Sequence, residues 1–515
     1  MIKIGDYILS LDAGTTASKI SLFDTQGNLI SISTHEYSLL TPTALAVELP
    51  VEKFWEAFKL GIKDVLNVSK VKPADIKAFS LSAQGETLIL IDKDGKPLRN
   101  AISWMDNRAQ KEAEILSQQF PNETVYKITG QVSIVPTWPA TKLLWIKNNE
   151  PDIFNKIYKV LLVEDYLIWR LTKQFTCEGS LICSTLYWNI TTEKWWDEML
   201  DYLGISHGQL PEIKYSGEAV GNITENVAKD LGLASNVVVS MGALDQACGT
   251  IGVGNVKPGI FTENTGAALA ICATQDKATP TFDEQRRMPV HYHGLPKRYM
   301  FHTFTTGGMV LRWYRDKFFA DVMKTALEKR TDAYDLITEM VDKIPAGSDG
   351  LVMLPHLQGA MAPEDNPKAR GVFYGFTLKH EKAHFARAIM EAIAFIVRRN
   401  LDIIEDLKID VNEIRVLGGG ARSDVWNQIK ADITRKTVVR TTNEEAACLG
   451  AAIFAGKGAG IYSSIEDAAS QMVSIKKKYN PNELNVEIYN NVYLKYIKLY
   501  EDLRELFSLE KALEE

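Results

Sequence analysis

Near the start of the chain, residues 9–30 read LSLDAGTTASKISLFDTQGNLI. Two apolar runs, Tyr7 to Leu11 and Ile20 to Phe23, flank Asp12, Gly14, Thr15, Thr16, Ser18 and Lys19. The spacing predicts strand, tight turn, strand. Small residues let backbone N–H groups approach an anion, and hydroxyls add donors. A carboxylate closing the first strand suits Mg²⁺, usually through water, because that ion keeps part of its hydration shell. Asp12 before a Gly/Thr turn is therefore what a Mg-nucleotide phosphate site needs. By itself the segment also reads as an ordinary hairpin.

The same grammar recurs midway. Residues 237–270 read VVVSMGALDQACGTIGVGNVKPGIFTENTGAALA. An apolar run ends at Gly242-Ala243-Leu244-Asp245, a Gly-rich stretch follows, and the turn Thr265-Gly266 separates two further strands. Two phosphate-type hairpins half a chain apart predict two related α/β domains facing each other across a cleft; the repeat is one of pattern, not of residue identity. A third cluster, Gly418-Gly419-Gly420-Ala421, lies between the strand EIRVL and the helix SDVWNQIKADITRK, with Ser423 as cap and Asp424 in the first turn. Strand, glycines and helix N-terminus make a nucleotide-binding corner. It is not GxGxxG, and no acidic residue about 20 positions on completes a dinucleotide fingerprint. Walker A, protein-kinase and GxSxG patterns are absent.

The elements that would position these residues alternate between strand and helix, which gives an α/β chain. Residues 52–66 carry apolar groups at helical spacing, 76–82 read as a buried strand, AISW at 101–104 as another strand, and 108–119 as helix. At 515 residues the chain exceeds one core. It is 46% hydrophobic and 24% charged with net charge −7, which speaks against nucleic acid as partner. No apolar run approaches a membrane span, and the N-terminus lacks a signal-peptide layout, so a cytoplasmic protein is expected. Cys177, Cys183, Cys248, Cys272 and Cys448 show no CxxC or Cys/His clustering and are expected as reduced core residues.

Taken together, the pieces resemble the FGGY carbohydrate kinases of the actin/hexokinase/Hsp70 ATPase superfamily over essentially the whole chain. DAGTTASK looks like the family's first phosphate motif, GALDQACGTIGVG like the segment with its catalytic aspartate, and FTENTGAALA like its second phosphate motif. Residues 370–395 are similar to its C-terminal signature, and GGGARSDVWNQIKADITRK with NEEAACLGAAIFAGKGAGIY to its adenosine-binding end. The resemblance implies two ribonuclease H-like domains: residues 1–246 with the sugar and first phosphate sites, and 247–515 with the adenosine and second phosphate sites. It implies Asp12 near Mg²⁺, and Thr15, Thr16 and Lys19 near the transferred phosphate. Asp245 would be the general base on the sugar hydroxyl. Thr265 and Gly266 would contact phosphates, and Gly419, Gly420 and Ser423 would line the adenosine pocket. ATP and Mg²⁺ are the implied cofactors. A small sugar or polyol is the implied partner, with no nucleic acid or membrane, and a homodimer is common in such families.

For the acceptor wall the resemblance points to Gln84, Glu86 and Thr87 in SAQGET, and to Trp104 and Asp106 in SWMDNR. An aromatic face beside carboxylate and amide groups suits a polyol. Xylulose kinases typically carry Gln-Met-His-Gly where this chain has Gln84-Gly85-Glu86-Thr87. Glycerol kinases carry Gln-Arg-Glu-Thr, so Gly85 removes an arginine fork and is expected to leave room for a larger substrate. Glu86 and Asp106 are expected to set substrate choice without performing chemistry. A pentulose such as xylulose is the first expectation. Gluconate, glycerol or a tetritol, and an autoinducer-2-type polyol are alternatives, and an actin/Hsp70-type ATPase switch is the competing class.

Overall fold

The computed structural model describes residues 5–510. The chain divides into two compact units. The first runs up to Lys257 and also takes in Thr274–Met300 and Glu445–Ser474. The second holds Pro258–Ala273, Phe301–Glu444 and the chain from Ile475 on. The late segment Glu445–Ser474 thus returns to the unit in which the chain begins.

The first unit is built on a sheet ordered Ala219–Asn222, Val238–Ser240, Ile76–Ala83, Tyr7–Ala13, Ala17–Asp24, Leu29–Glu36, with Ala243–Leu244 also on Ile76–Ala83. Tyr7–Ala13 is central, antiparallel to Ala17–Asp24 and parallel to Ile76–Ala83. Both of its faces are covered, which is why it reads as a nearly unbroken apolar run and not as an alternation. The helix Glu52–Ser69 buries Phe54, Phe58, Ile62 and Val65. Gly61 brings it onto the sheet: a Cβ there would stand 2.1 Å from Ile20 Cδ1. The returning helix Ala446–Gly458 packs against Tyr7–Ala13, Ile76–Ala83 and the helix Asp245–Gly252. The two helices meet backbone to backbone. A Cβ on Gly252 would lie 1.8 Å from Ala446 O, and one on Gly450 1.9 Å from Cys248 O.

The second unit repeats the hairpin. Ile260–Thr265 is antiparallel to Ala268–Gln275 and parallel to Glu413–Leu417, and the sheet continues through Thr437–Thr441 to Ile475–Tyr479. The helices Lys382–Asp406, Asp424–Thr434 and Glu483–Ser508 pack in this unit, the last burying Tyr489, Val492, Tyr493 and Tyr496. All five cysteines are buried and none is in a disulfide, as expected. Two local expectations change. AISW is a strand only at Ala101–Ile102, and Trp104 lies in the turn after it. The Gly-rich stretch after Asp245 is mostly the helix Asp245–Gly252, whose small residues serve the close helix contact. No helix among the described residues is long and apolar enough to cross a membrane.

Candidate active site

The first hairpin puts Asp12 at the end of Tyr7–Ala13, in register with Lys19 on one side and Ser82 on the other. Ser82 Oγ donates to Asp12 Oδ1 at 2.7 Å. Burial pushes the Asp12 carboxyl above its ordinary value, against the pull of Ser82 and Lys19. Lys19 Nζ itself pairs with Glu445 Oε2 at 2.7 Å. Gly14 N donates to Ala17 O at 3.0 Å and closes the turn, leaving Thr16 exposed.

A ring of hydrogen bonds ties this turn to the expected acceptor wall. Gln84 Nε2 donates to Gly14 O at 2.9 Å. Thr87 Oγ1 donates to Gln84 Oε1 at 3.0 Å and accepts from Trp104 N at 3.2 Å. Trp104 Nε1 donates to Thr15 Oγ1 at 2.8 Å. Trp104 remains 40% exposed, so its ring offers a face instead of filling the core. Lys142, which the sequence reading missed, is wholly buried and donates to Glu86 O at 2.9 Å and Ser103 O at 2.8 Å. It joins the two wall loops from behind, and burial lowers its pKa to about 7.

Two wall residues are not placed as expected. Asp106 is fully buried, with Arg108 Nε donating to both its oxygens at 2.9 and 3.0 Å and Val47 N donating to Oδ2 at 2.6 Å. Its carboxylate holds the loop and presents no open face. Gly85 does not open space at its own Cβ position, because a Cβ there would stand 3.0 Å from Leu244 Cδ1. Its smallness serves packing on the residue that precedes Asp245.

Asp245 begins the helix Asp245–Gly252 and is partly buried. Gln246 N donates to its Oδ1 at 2.7 Å. Its pKa is pushed up to about 7, first by burial and then by the like charges of Asp12 and Glu86. Burial also raises Glu86, whose backbone holds a left-handed φ of 54°. A carboxylate poised near neutrality is suited to take a proton from a hydroxyl.

The second unit gathers Thr265, Gly266, Gly419, Gly420 and Ser423 around one cavity of about 650 Å³, walled on its other sides by Arg312, Tyr334, Thr338, Met390 and Trp426. Gly418 turns the chain with φ 79°, where a Cβ would lie 2.4 Å from Asn264 Oδ1. Gly420 fits against Thr265, with only 2.6 Å for a Cβ. Ser423 Oγ accepts from Trp426 N at 3.2 Å and caps the helix Asp424–Thr434, as expected. For Thr265, expected with Gly266 to contact phosphates and lining this cavity, the hydroxyl is buried. It donates to Glu263 and accepts from Lys430 Nζ at 3.0 Å, beside a buried Lys430–Glu263 ion pair of 2.8 Å. What this turn exposes is the stretch Gly266–Ala268. Of these wall residues Trp426 lies in the quoted GGGARSDVWNQIKADITRK stretch and Met390 within residues 370–395, whereas Tyr334 and Thr338 belong to none of the motifs read from the sequence.

A model of the FGGY family of carbohydrate kinases, N-terminal domain, matches residues 7–252, and one of the C-terminal domain matches residues 268–459. A xylulose kinase of Staphylococcus epidermidis is 29% identical, covering 98% of this chain and 98% of its own length. A gluconokinase of Bacillus subtilis is 31% identical, covering 96% of this chain and 95% of its own. The crystal structure of ligand-bound xylulose kinase from Lactobacillus acidophilus superposes with a TM-score of 0.87 at 28% identity, covering 98% of this chain and 99% of that one.

Proposed function

This chain belongs to the FGGY family of carbohydrate kinases and is an ATP-dependent sugar kinase, and we propose that its acceptor is a neutral pentulose such as xylulose. The observation that carries the choice is the charge around Asp245. Asp12 and Glu86 both act on it as like charges. The nearby cations make their hydrogen bonds to other groups, Lys19 to Glu445 and Lys142 to two carbonyls, and their charges act on Asp12 and Glu86 in turn. An aldonic acid such as gluconate would bring a further carboxylate into this field, whereas a keto sugar brings hydroxyls and C–H groups for the Trp104 face.

In this reading Asp245 accepts the proton of the attacking hydroxyl, and the main catalytic effects are positioning and charge stabilisation. Glu86 and Trp104 orient the acceptor, and the cavity of the second unit takes the adenosine end of ATP. Asp12 fits a hydrated Mg²⁺: it supplies one hard oxygen donor set, and the described residues hold no cluster of three or more His, Cys, Asp or Glu arranged to bind a metal directly. Bound there, the ion would neutralise charge developing on the phosphoryl oxygens. A coupled ATP assay over xylulose, ribulose, glycerol, erythritol and gluconate tests the choice. Xylulose is expected to give the highest kcat/KM. Gluconate turnover exceeding that of every neutral sugar would overturn it and favour the second reading, to which the gluconokinase relative points.

A further inference from the structure

The helix that begins at Asp245 has no cap of its own. Its N-cap residue is Leu244, which has no side-chain acceptor, and the preceding strand Ala243–Leu244 is only two residues long. Within the helix Asp245 Oδ1 accepts from Gln246 N at 2.7 Å, and the Leu244 backbone that leads into Asp245 is held from outside. Ser180 does this: its Oγ accepts from Leu244 N at 2.8 Å. Ser180 is itself held. Its Oγ donates to Glu178 Oε1 at 2.7 Å, and its N donates to Glu178 Oε2 at 2.8 Å. Ser216 Oγ adds a donor to Glu178 Oε2 at 3.0 Å. Further back, Gly242 N donates to Glu164 Oε1 at 2.6 Å. Gly242 cannot be larger, since a Cβ would fall 1.6 Å from Leu81 O. Ser180, Glu178 and Glu164 are all fully buried and none can reach solvent or substrate. The same short turn ends at Ser184, whose Oγ donates to Leu181 O at 3.2 Å and stands beside the acceptor wall, 4.0 Å from where a Cβ on Gly85 would lie. One element thus reaches both the loop of the base and the acceptor wall.

We propose that Ser180 is a positioning residue for phosphoryl transfer, its Glu178-held hydroxyl fixing the Leu244 backbone and through it the aim of the Asp245 carboxylate. The inference rests on the reading of Asp245 as general base. A small displacement of that carboxylate falls on kcat, because misplacement by about 1 Å costs on the order of 100-fold.

The test is a double-mutant cycle on the full chain with xylulose and ATP. Ser180→Ala is expected to lower kcat between about tenfold and about 100-fold while leaving the KM for ATP unchanged. Asp245→Asn is expected to lower kcat by roughly 10²–10⁴-fold, leaving a measurable residue. If Ser180 acts through Asp245, adding Ser180→Ala to Asp245→Asn costs almost nothing more. Full additivity, or a Ser180→Ala enzyme with wild-type kcat, overturns the proposal. Wild-type turnover by Asp245→Asn overturns the base reading instead, so the two failures are distinct. If Ser180→Ala does not fold, Ser180→Cys replaces it, since a thiol of similar size is a weak acceptor and should give the same pattern.

Discussion

Asp245→Asn should make the protein more stable at neutral and alkaline pH while disabling it. The Asp245 carboxyl is raised from 3.8 to about 7, chiefly by burial. The folded chain therefore keeps this proton to higher pH than the unfolded chain, and ionising the group costs folding free energy. The stability contribution is intact below about pH 4 and is lost as pH climbs from there to about 7. At 1.36 kcal/mol per unit the shift is worth about 4 kcal/mol, an upper bound because the carboxylate is partly open to water. Asn removes the titration. The stability difference, variant minus wild type, should grow by up to about 1.4 kcal/mol per pH unit between pH 5 and 7 and flatten above. Urea unfolding of both proteins at pH 5, 6, 7 and 8, without nucleotide, measures it. A constant difference across that range would refute the reasoning, whatever its size, because a packing or hydrogen-bond effect of the Asn amide carries no such slope.

Three further outcomes follow from the same geometry. The kcat/KM for the acceptor should rise as pH passes through about 7, and Glu86→Gln should move that midpoint down by removing a like charge; an unmoved or raised midpoint in the pH profile contradicts this. Trp104→Phe keeps the ring but loses the donor to Thr15 Oγ1, so the acceptor KM should rise by roughly three- to tenfold, as for one net hydrogen bond; steady-state kinetics with unchanged KM would make that bond incidental. Gly420→Ala drives a methyl to within 2.6 Å of Thr265 and should weaken ATP binding in calorimetry with the acceptor KM unchanged; equal loss for both ligands would deny a cavity devoted to nucleotide.

Both hairpins were legible in the sequence because buried central strands read as apolar runs and phosphate turns need small residues, features local to a few positions. The cap at Ser423 was legible for the same reason. What escaped detection is non-local. Lys142 lies in a helix that also carries Thr141, Lys147, Asn148 and Asn149, so its type does not single it out, and only the fold shows that it bridges the Glu86 and Ser103 carbonyls. Glu164, Glu178 and Ser180 look like surface residues until the chain folds around them. Asp106 and Thr265 were found by motif, yet their polar atoms are claimed by Arg108 and by Glu263 with Lys430, partners the motifs do not include.

The backbone-to-backbone seat of the Asp245–Gly252 helix on Ala446–Gly458 also orders events in biosynthesis. On the ribosome the helix bearing Asp245 emerges well before the surface that receives it. At about 5–20 residues per second the wait is on the order of 10–40 s. Throughout it Cys248 and Gly252 are without the backbone they pack against. Cutting the gene between its two halves would therefore strand one unit without an internal helix, so the halves are not exchangeable modules despite their repeated hairpins.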